Sequence, residues 1–329
     1  MPTIIYPSPV DFKWMFQRPQ QLLLNMSLLG YKCIFINPDI HIKQKSDIEK
    51  INNNFLLVSK RYSINYRKLS KPIILFESYP PEHNLNRQIP HNILIFDCID
   101  SPSEQFEHWK ENFDILSEKA DIIICSSQGL YMLQRKYGEK VQIIRNGEDF
   151  EYFKKAEAVA NNRVKQVGFI GSLASWLDYN LIDYIIKKNP DKRFVFVGDF
   201  YDIKPNFNYN NAVFTGRKDY KDLIKYMKDM DVFINPFKIT PMTNCVSPVK
   251  LYEYLSTGKP VVSTAILEVI SIDRDYVYVA KDYEQFNSLL NIAVKEKNIK
   301  KKQNRQRFAY QNSWLFRAKN LHEIIKKYL

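Results

Sequence analysis

The stretch SPVKLYEYLSTGKPVVST, residues 247–264, decides the fold. Ser247 has the chemistry of an N-cap, and Pro248 suits the first helical position, where a missing N–H costs nothing. Gly258 fits the left-handed position just past a helix end, and PVVST then has the β-branched character of a strand covered on both faces. Upstream, DVFINPF (231–237) is a second short apolar strand, joined to the helix by the polar loop KITPMTNCV (238–246). Strand, loop, helix, strand is one step of a parallel α/β sheet.

In an open parallel sheet, ligands bind outside the carboxyl ends of the strands, against the N-termini of the helices that follow. The loop at 238–247 and the first helical turn occupy that position. Free N–H groups and the positive end of the helix dipole favour an anion, and Lys250 adds a full charge, so a phosphate suits this corner. Glu253, one turn deeper, suits a pair of hydroxyls such as those of a ribose. The same letters also fit an ordinary i, i+3 Lys–Glu pair on a helix surface, worth about 0.3 kcal/mol. No GxGxxG or Walker loop opens either half of the chain, so the phosphate site is built differently. GFIGSL (168–173) ends another strand, and its glycines either bring backbone close to a ligand or simply turn the chain.

Outward from this core, apolar runs alternate with helical stretches along the whole chain. TIIYPSP, YKCIFINP, KPIILFES, HNILIFDCID, ADIIICSS and KVQIIRN read as strands of a first doubly wound domain. After the polar linker KKAEAVANNRVK (154–165), a second series follows: VKQVGFIGSL, KRFVFVGDF, NAVFTGR, DVFINPF, PVVST and YVYVA, interleaved with helices. The expected organisation is a Rossmann-like domain at 1–155, a second at 164–308, and an amphipathic helix at 309–329 built from SWLFRAKNLHEIIKKYL.

Composition bounds the function. With 329 residues, 45% of them hydrophobic, the chain can fill two cores of ordinary size. The opening MPTIIYPSPVDF lacks the apolar run of a signal peptide and no stretch is long enough to span a bilayer, which predicts a cytoplasmic protein. Cys33, Cys98, Cys125 and Cys245 show no CxxC spacing and read as reduced core thiols; the five histidines are spaced unlike a metal cluster. A net charge of +12 asks for an anionic partner: nucleic acid, an anionic lipid surface or a phosphorylated substrate. The densest basic run, KEKNIKKKQNRQR (295–307), reads as a solvated face. No RNA-recognition, zinc-finger or basic-zipper signature accompanies it, so no nucleic acid is expected.

Taken as a set, these pieces resemble the two-domain nucleotide-sugar glycosyltransferases of the GT-B fold, in particular the bacterial branch of glycosyltransferase family four. SPVKLYEYLSTGKPVVST is similar to that family's donor-site helix and strand, and FTGR with DLIKYMKDMDVFINPF to the segment ahead of it. IRNGEDFEYF (144–153) resembles the Asn-Gly-x-Asp sequence that closes the first domain, and NSWLFRAKNL the closing helix. VDFKWMFQRPQQL is similar to the opening of transferases from teichuronic-acid-like and related exopolysaccharide pathways.

The resemblance implies two Rossmann-like domains facing a central cleft, with the terminal helix crossing back to the first. It implies that Glu253 binds the ribose, and that Lys250, the backbone of Val246, Ser247 and Pro248, and the loop at Gly171 and Ser172 hold the diphosphate. Arg217 either faces the cleft or lies on the surface. Donors aimed at the departing diphosphate stabilise the transition state without a metal, so no metal and no cofactor are expected beyond the nucleotide-sugar co-substrate, UDP ahead of GDP. One departure stands out: many family members carry a Glu eight residues before the one matching Glu253, and here that position is Cys245. This leaves the sugar and the retaining or inverting outcome open.

On the acceptor side, Asp100, just past a buried strand, is the expected base, with Asp97 second; either also suits a cap on the following turn. Asp11, Trp14 and Arg18 are the expected acceptor contacts, or they seal the first helix to its sheet. The implied activity is hexosyl transfer to a hydroxyl of a surface glycan or lipid-linked acceptor, at the inner face of the plasma membrane, with the basic surface giving peripheral attachment. A protein acceptor, or a non-catalytic GT-B-like partner subunit, are the alternatives.

Overall fold

The computed structural model describes residues 1–13, 16, 18–38, 47–59, 63–157, 163–203, 205 and 208–329. The chain divides into two units. The first comprises Met1–Asn146, Cys245–Ser247 and Trp314–Leu329, and the second Gly147–Asn244 and Pro248–Ser313.

The first unit is built on β1 (Thr3–Pro7), β2 (Lys32–Ile36), β3 (Ile48–Asn52), β4 (Phe55–Val58), β5 (Ile73–Glu77), β6 (Ile93–Cys98), β7 (Ile122–Cys125) and β8 (Val141–Ile143). They form one sheet in the order β3-β4-β2-β1-β5-β6-β7-β8, parallel except for the antiparallel edge pair β3–β4. Successive residues of β1 face opposite cores: Ile4 and Tyr6 join one apolar cluster, Ile5 the other. Burial on both faces is what makes these strands read as unbroken apolar runs. The helix Trp314–Lys326 lies on the helix Arg18–Leu28, and its Ala318, Leu321 and Ile325 complete the first of those clusters. The edge pair was not legible in the sequence. IEKIN in β3 lacks the apolar/polar alternation of a half-buried strand, with none of its residues fully buried, and Phe55–Val58 is only four residues long.

The second unit holds β9 (Gln166–Ile170), β10 (Arg193–Val197), β11 (Ala212–Phe214), β12 (Val232–Asn235), β13 (Val261–Thr264) and β14 (Tyr278–Ala280). All six are parallel, in the order β11-β10-β9-β12-β13-β14. This is the 3-2-1-4-5-6 order of a dinucleotide-binding sheet, with its reversal between β9 and β12. Phe150 and Phe153 insert into this unit's core, which is why the first unit stops at Asn146 and not at residue 155.

Two local expectations need correction. Pro248, not Ser247, occupies the N-cap position of the helix Val249–Ser256; the Ser247 hydroxyl instead accepts a 3.2 Å bond from the Asn146 N–H. The basic run is not simply a solvated face. It forms part of the helix Ile299–Gln311, and its Arg305 is 0% exposed. That guanidinium pairs with Glu296 at 2.5 and 2.9 Å and donates to the carbonyls of Tyr276 and Gly258. Gly258 itself, at φ +73°, turns the chain out of the helix Val249–Ser256 as its sequence context predicts. Arg305 therefore fixes the turn that closes that helix.

Candidate functional site

The order reversal between β9 and β12 places the loop after β9 beside the helix after β12. Gly171 follows β9 at φ +142°, and its N–H donates to Val197. A Cβ on Gly171 would take the space of the Lys250 side-chain end, and one on Gly198 would strike the Gly171 carbonyl. Lys250 thus lies directly against bare backbone, which only glycine allows here. Tyr254 fixes this approach: its hydroxyl accepts from the Ile170 N–H at 2.8 Å and donates to the Ile170 carbonyl at 3.1 Å, tying the helix to the end of β9. The Tyr254 ring stacks on Phe233 of β12 at 4.2 Å, so the same side chain holds both strands flanking the crevice.

Charge at this corner is left uncommitted. Lys250 and Glu253 are both half-buried, and no ion pair or hydrogen bond joins them or any other described residue to their charged ends. Burial pushes the Lys250 ammonium down, with Glu253 opposing. Burial likewise pushes Glu253 up to about 7, with Lys250 opposing. The surface ion-pair reading of these two residues therefore does not describe them. The Lys250 ammonium also lies 5.8 Å from the centre of the Phe169 ring, a cation–π distance.

A third charge-bearing group was missed in the sequence. Glu148 is 1% exposed, and neither carboxylate oxygen has a hydrogen-bond partner among the described residues. The nearby Ser256 hydroxyl is spent on the Tyr252 carbonyl. Burial is the main cause that raises Glu148 to about 9, with Glu253 adding to it. Its only sequence signal is an acidic residue at the variable place of Asn-Gly-x-Asp, between residues that do not predict burial.

The remaining donor-side candidates divide. Ser172 and Arg217 are exposed, and the Arg217 N–H donates to Asp199 at 2.9 Å. Ser247 and Pro248 are buried and Val246 half-buried.

In the first unit the candidates are mostly spent on structure. Asp97 on β6 is 0% exposed and Arg18 4%. The guanidinium reaches both Asp97 oxygens through Nε, at 3.0 and 2.9 Å, and Oδ1 again through a terminal nitrogen at 2.7 Å; its other terminal nitrogen donates to Asn146 at 3.2 Å. A carboxylate committed to this fork is spent on structure, which speaks against Asp97 as the base. The same bonds speak against Arg18 as an acceptor contact, because its fork is occupied. Asp11 is buried and accepts from the Lys13 N–H at 2.7 Å, closing a local turn. Trp14 lies outside the described residues. Asp100, in contrast, is half-buried with no hydrogen-bond partner among the described residues, and burial pushes it up to about 6. Cys245 is buried; its carbonyl accepts from Ser127 at 2.6 Å and burial raises its thiol. Among the described residues, no three His, Cys, Asp or Glu side chains come together as a metal site requires.

Residues 164–291 match the family described as glycosyl transferases group 1. This segment is similar to a glycosyltransferase domain. A curated relative, TuaH of Bacillus subtilis (strain 168), named as a teichuronic acid biosynthesis glycosyltransferase, is 32% identical over 176 residues. That match spans 49% of this chain and 44% of the relative, so the chain aligns with less than half of TuaH. Among solved structures, sucrose-phosphate synthase from Thermosynechococcus elongatus superposes with a TM-score of 0.75 at 13% identity, covering 99% of each chain. HepE of Anabaena, solved with UDP and glucose, gives 0.64 at 14% identity over 98% of this chain and 99% of its own. WaaG, a glycosyltransferase involved in lipopolysaccharide biosynthesis, gives 0.63 at 13% over 98% and 99%. At these identities the likeness is one of fold, and it bears out the GT-B expectation: two parallel α/β sheets of Rossmann type.

Proposed function

We propose that the protein is a glycosyltransferase that moves a sugar from a UDP-linked donor to a hydroxyl of a surface glycan or lipid-linked acceptor. The observation that carries this reading is Lys250, half-buried and unpaired among the described residues, lying against the Gly171 backbone at the order reversal of the second sheet, with Glu253 one turn deeper. An uncommitted cation at a helix N-terminus beside a glycine loop is suited to a diphosphate, and a carboxylate behind it to a ribose diol. The UDP complexes of HepE support the choice of nucleotide, and the teichuronic acid name of TuaH supports a glycan acceptor.

The chemistry follows from charge. As the bond from the sugar to the diphosphate breaks, negative charge grows on the leaving oxygen. Lys250 and the N–H groups at the start of its helix meet that charge where it develops. Asp100, pushed up to about 6 by burial, is the group to which we assign the proton of the attacking hydroxyl.

Thermal unfolding with UDP, GDP and their sugars tests the reading. A ligand bound by the folded state alone, at a hundred times its Kd, stabilises it by about 2.7 kcal/mol. The expected result is a rise in Tm with UDP that Glu253→Ala abolishes. No rise with any nucleotide would overturn the donor site. A rise with UDP but no sugar transfer to any acceptor would favour a non-catalytic partner subunit, the reading that Cys245 supports.

A further inference from the structure

Glu148 belongs to no part of the proposed reaction, yet it sits at an energetic cost beside the donor corner. The short helix Phe150–Phe153 that follows it packs on the helix Val249–Ser256, which carries Lys250 and Glu253. The groups that act on Glu148 include Glu253 and Ser256 from that helix, Asp149 and Glu151 from its own segment, and the phenol of Tyr220 from the turn Tyr220–Asp222. None of these is a cation, and both Glu148 oxygens are without a hydrogen-bond partner among the described residues. Of these groups only the Ser256 hydroxyl favours the anion, and it donates instead to the Tyr252 carbonyl, while the Glu253 charge opposes a second one beside it.

We propose that Glu148 is a positioning residue of the donor site: it and Glu253 hold one negative charge between them, and nucleotide binding requires that Glu148 keep its proton. This rests on the donor-site reading above. The order of ionisation supports it. Glu253, its rise opposed by the Lys250 charge, ionises first, near 7; burial above all, with the Glu253 charge adding to it, holds Glu148 protonated to about 9. With Glu148 neutral, the Lys250 charge is available to the diphosphate and the Glu253 carboxylate to the ribose. With Glu148 ionised, a second negative charge behind the helix competes for Lys250 and repels the diphosphate.

The test is UDP affinity by calorimetry from pH 7 to 10 in the wild type and Glu148→Gln, whose amide mimics the neutral acid. The uracil proton and the diphosphate titrate identically in both titrations and cancel in the ratio. Near pH 7.5 the two proteins are expected to bind equally. By pH 10 the wild type is expected to bind about tenfold more weakly than Glu148→Gln, the scale of one charge-assisted hydrogen bond. An alkaline loss that is the same in both proteins would overturn the proposal. Carboxyl carbon NMR of the nucleotide-free wild type provides an independent measurement, should the variant fail to fold. Glu148 is expected to be protonated at pH 7, and its midpoint to fall in Glu253→Gln; an ionised Glu148 at pH 7 would overturn the pairing. A wild type that binds no UDP at any pH, with the NMR result as expected, would overturn the donor-site reading and leave the carboxyl pair standing.

Discussion

The carboxyl edges of the two sheets carry similar residues and treat them in opposite ways. At the edge of the first, Arg18 and Asp97 are buried together with three hydrogen bonds from the guanidinium to the carboxylate, and Asp11 closes a turn. At the edge of the second, Lys250, Glu253 and Glu148 are buried to different degrees and make no ion pair among the described residues. Paired charges repay part of their desolvation and hold structure in place. Unpaired ones remain an energetic cost until a ligand meets them, so the second edge is where binding is expected.

The comparison can be broken at either edge. The largest effect is expected from Arg18→Leu, which strands the Asp97 anion in the sheet and costs about 3–5 kcal/mol in urea unfolding. Adding Asp97→Leu should recover most of that loss. If Arg18→Leu is tolerated without cost, the first edge is not held by its ion pair.

Lys250→Met should do the reverse. With no ion pair to lose, its Tm should hold or rise, while turnover falls about 10²–10³-fold for want of charge at the leaving group. A large loss of stability with unchanged turnover would make Lys250 a structural residue.

Glu148→Gln sharpens the contrast further. The Glu148 midpoint rises from an ordinary 4.5 to about 9 on folding, so the folded state holds a proton that the unfolded state releases between those values. The stability this contributes is complete below about pH 4.5 and lost as pH climbs through about 9. Glu148→Gln should therefore match the wild type in acid and exceed it by about 3 kcal/mol at pH 7, read from urea unfolding at the two pH values. Equal stability at both would mean that the carboxyl finds a partner in solution.

The smallest effect is expected from Ser247→Ala, which removes one hydrogen-bond acceptor from the Asn146 N–H and should cost about 1 kcal/mol. A loss comparable to that of Arg18→Leu would show that this single bond matters as much as the buried ion pair.

The parts of this architecture that were legible in the sequence are those set by local rules. The four inner strands of the second unit stand out as β-branched or aromatic runs because both of their faces are buried. The exit of the helix Val249–Ser256 was legible at Gly258, since only a residue tolerant of positive φ fits there. Its entry was read one residue early, at Ser247, because capping chemistry says which side chains can cap and not whether a competing N–H, here that of Asn146, takes the oxygen first. Arg305 was read as solvated for a similar reason. A basic run has the same letters whether its carboxylate partner, Glu296, lies nine residues away across a turn or is absent.

By itself, the sequence determined the α/β alternation, the two-unit plan and the placing of Lys250 and Glu253 on the first turns of a helix after a buried strand. Those features depend on periodicity, capping and turn chemistry, which act over a few residues. Only the tertiary structure decided which charges are spent. Asp97 and Asp100 are three residues apart with similar local context, yet one is locked by Arg18, 79 positions earlier in the chain, and the other has no hydrogen-bond partner among the described residues. Glu148 became visible only once its segment was folded against the helix of Glu253. Whether a charge is paired depends on what the fold brings within about 3 Å of it, and that distance is not written in the order of residues.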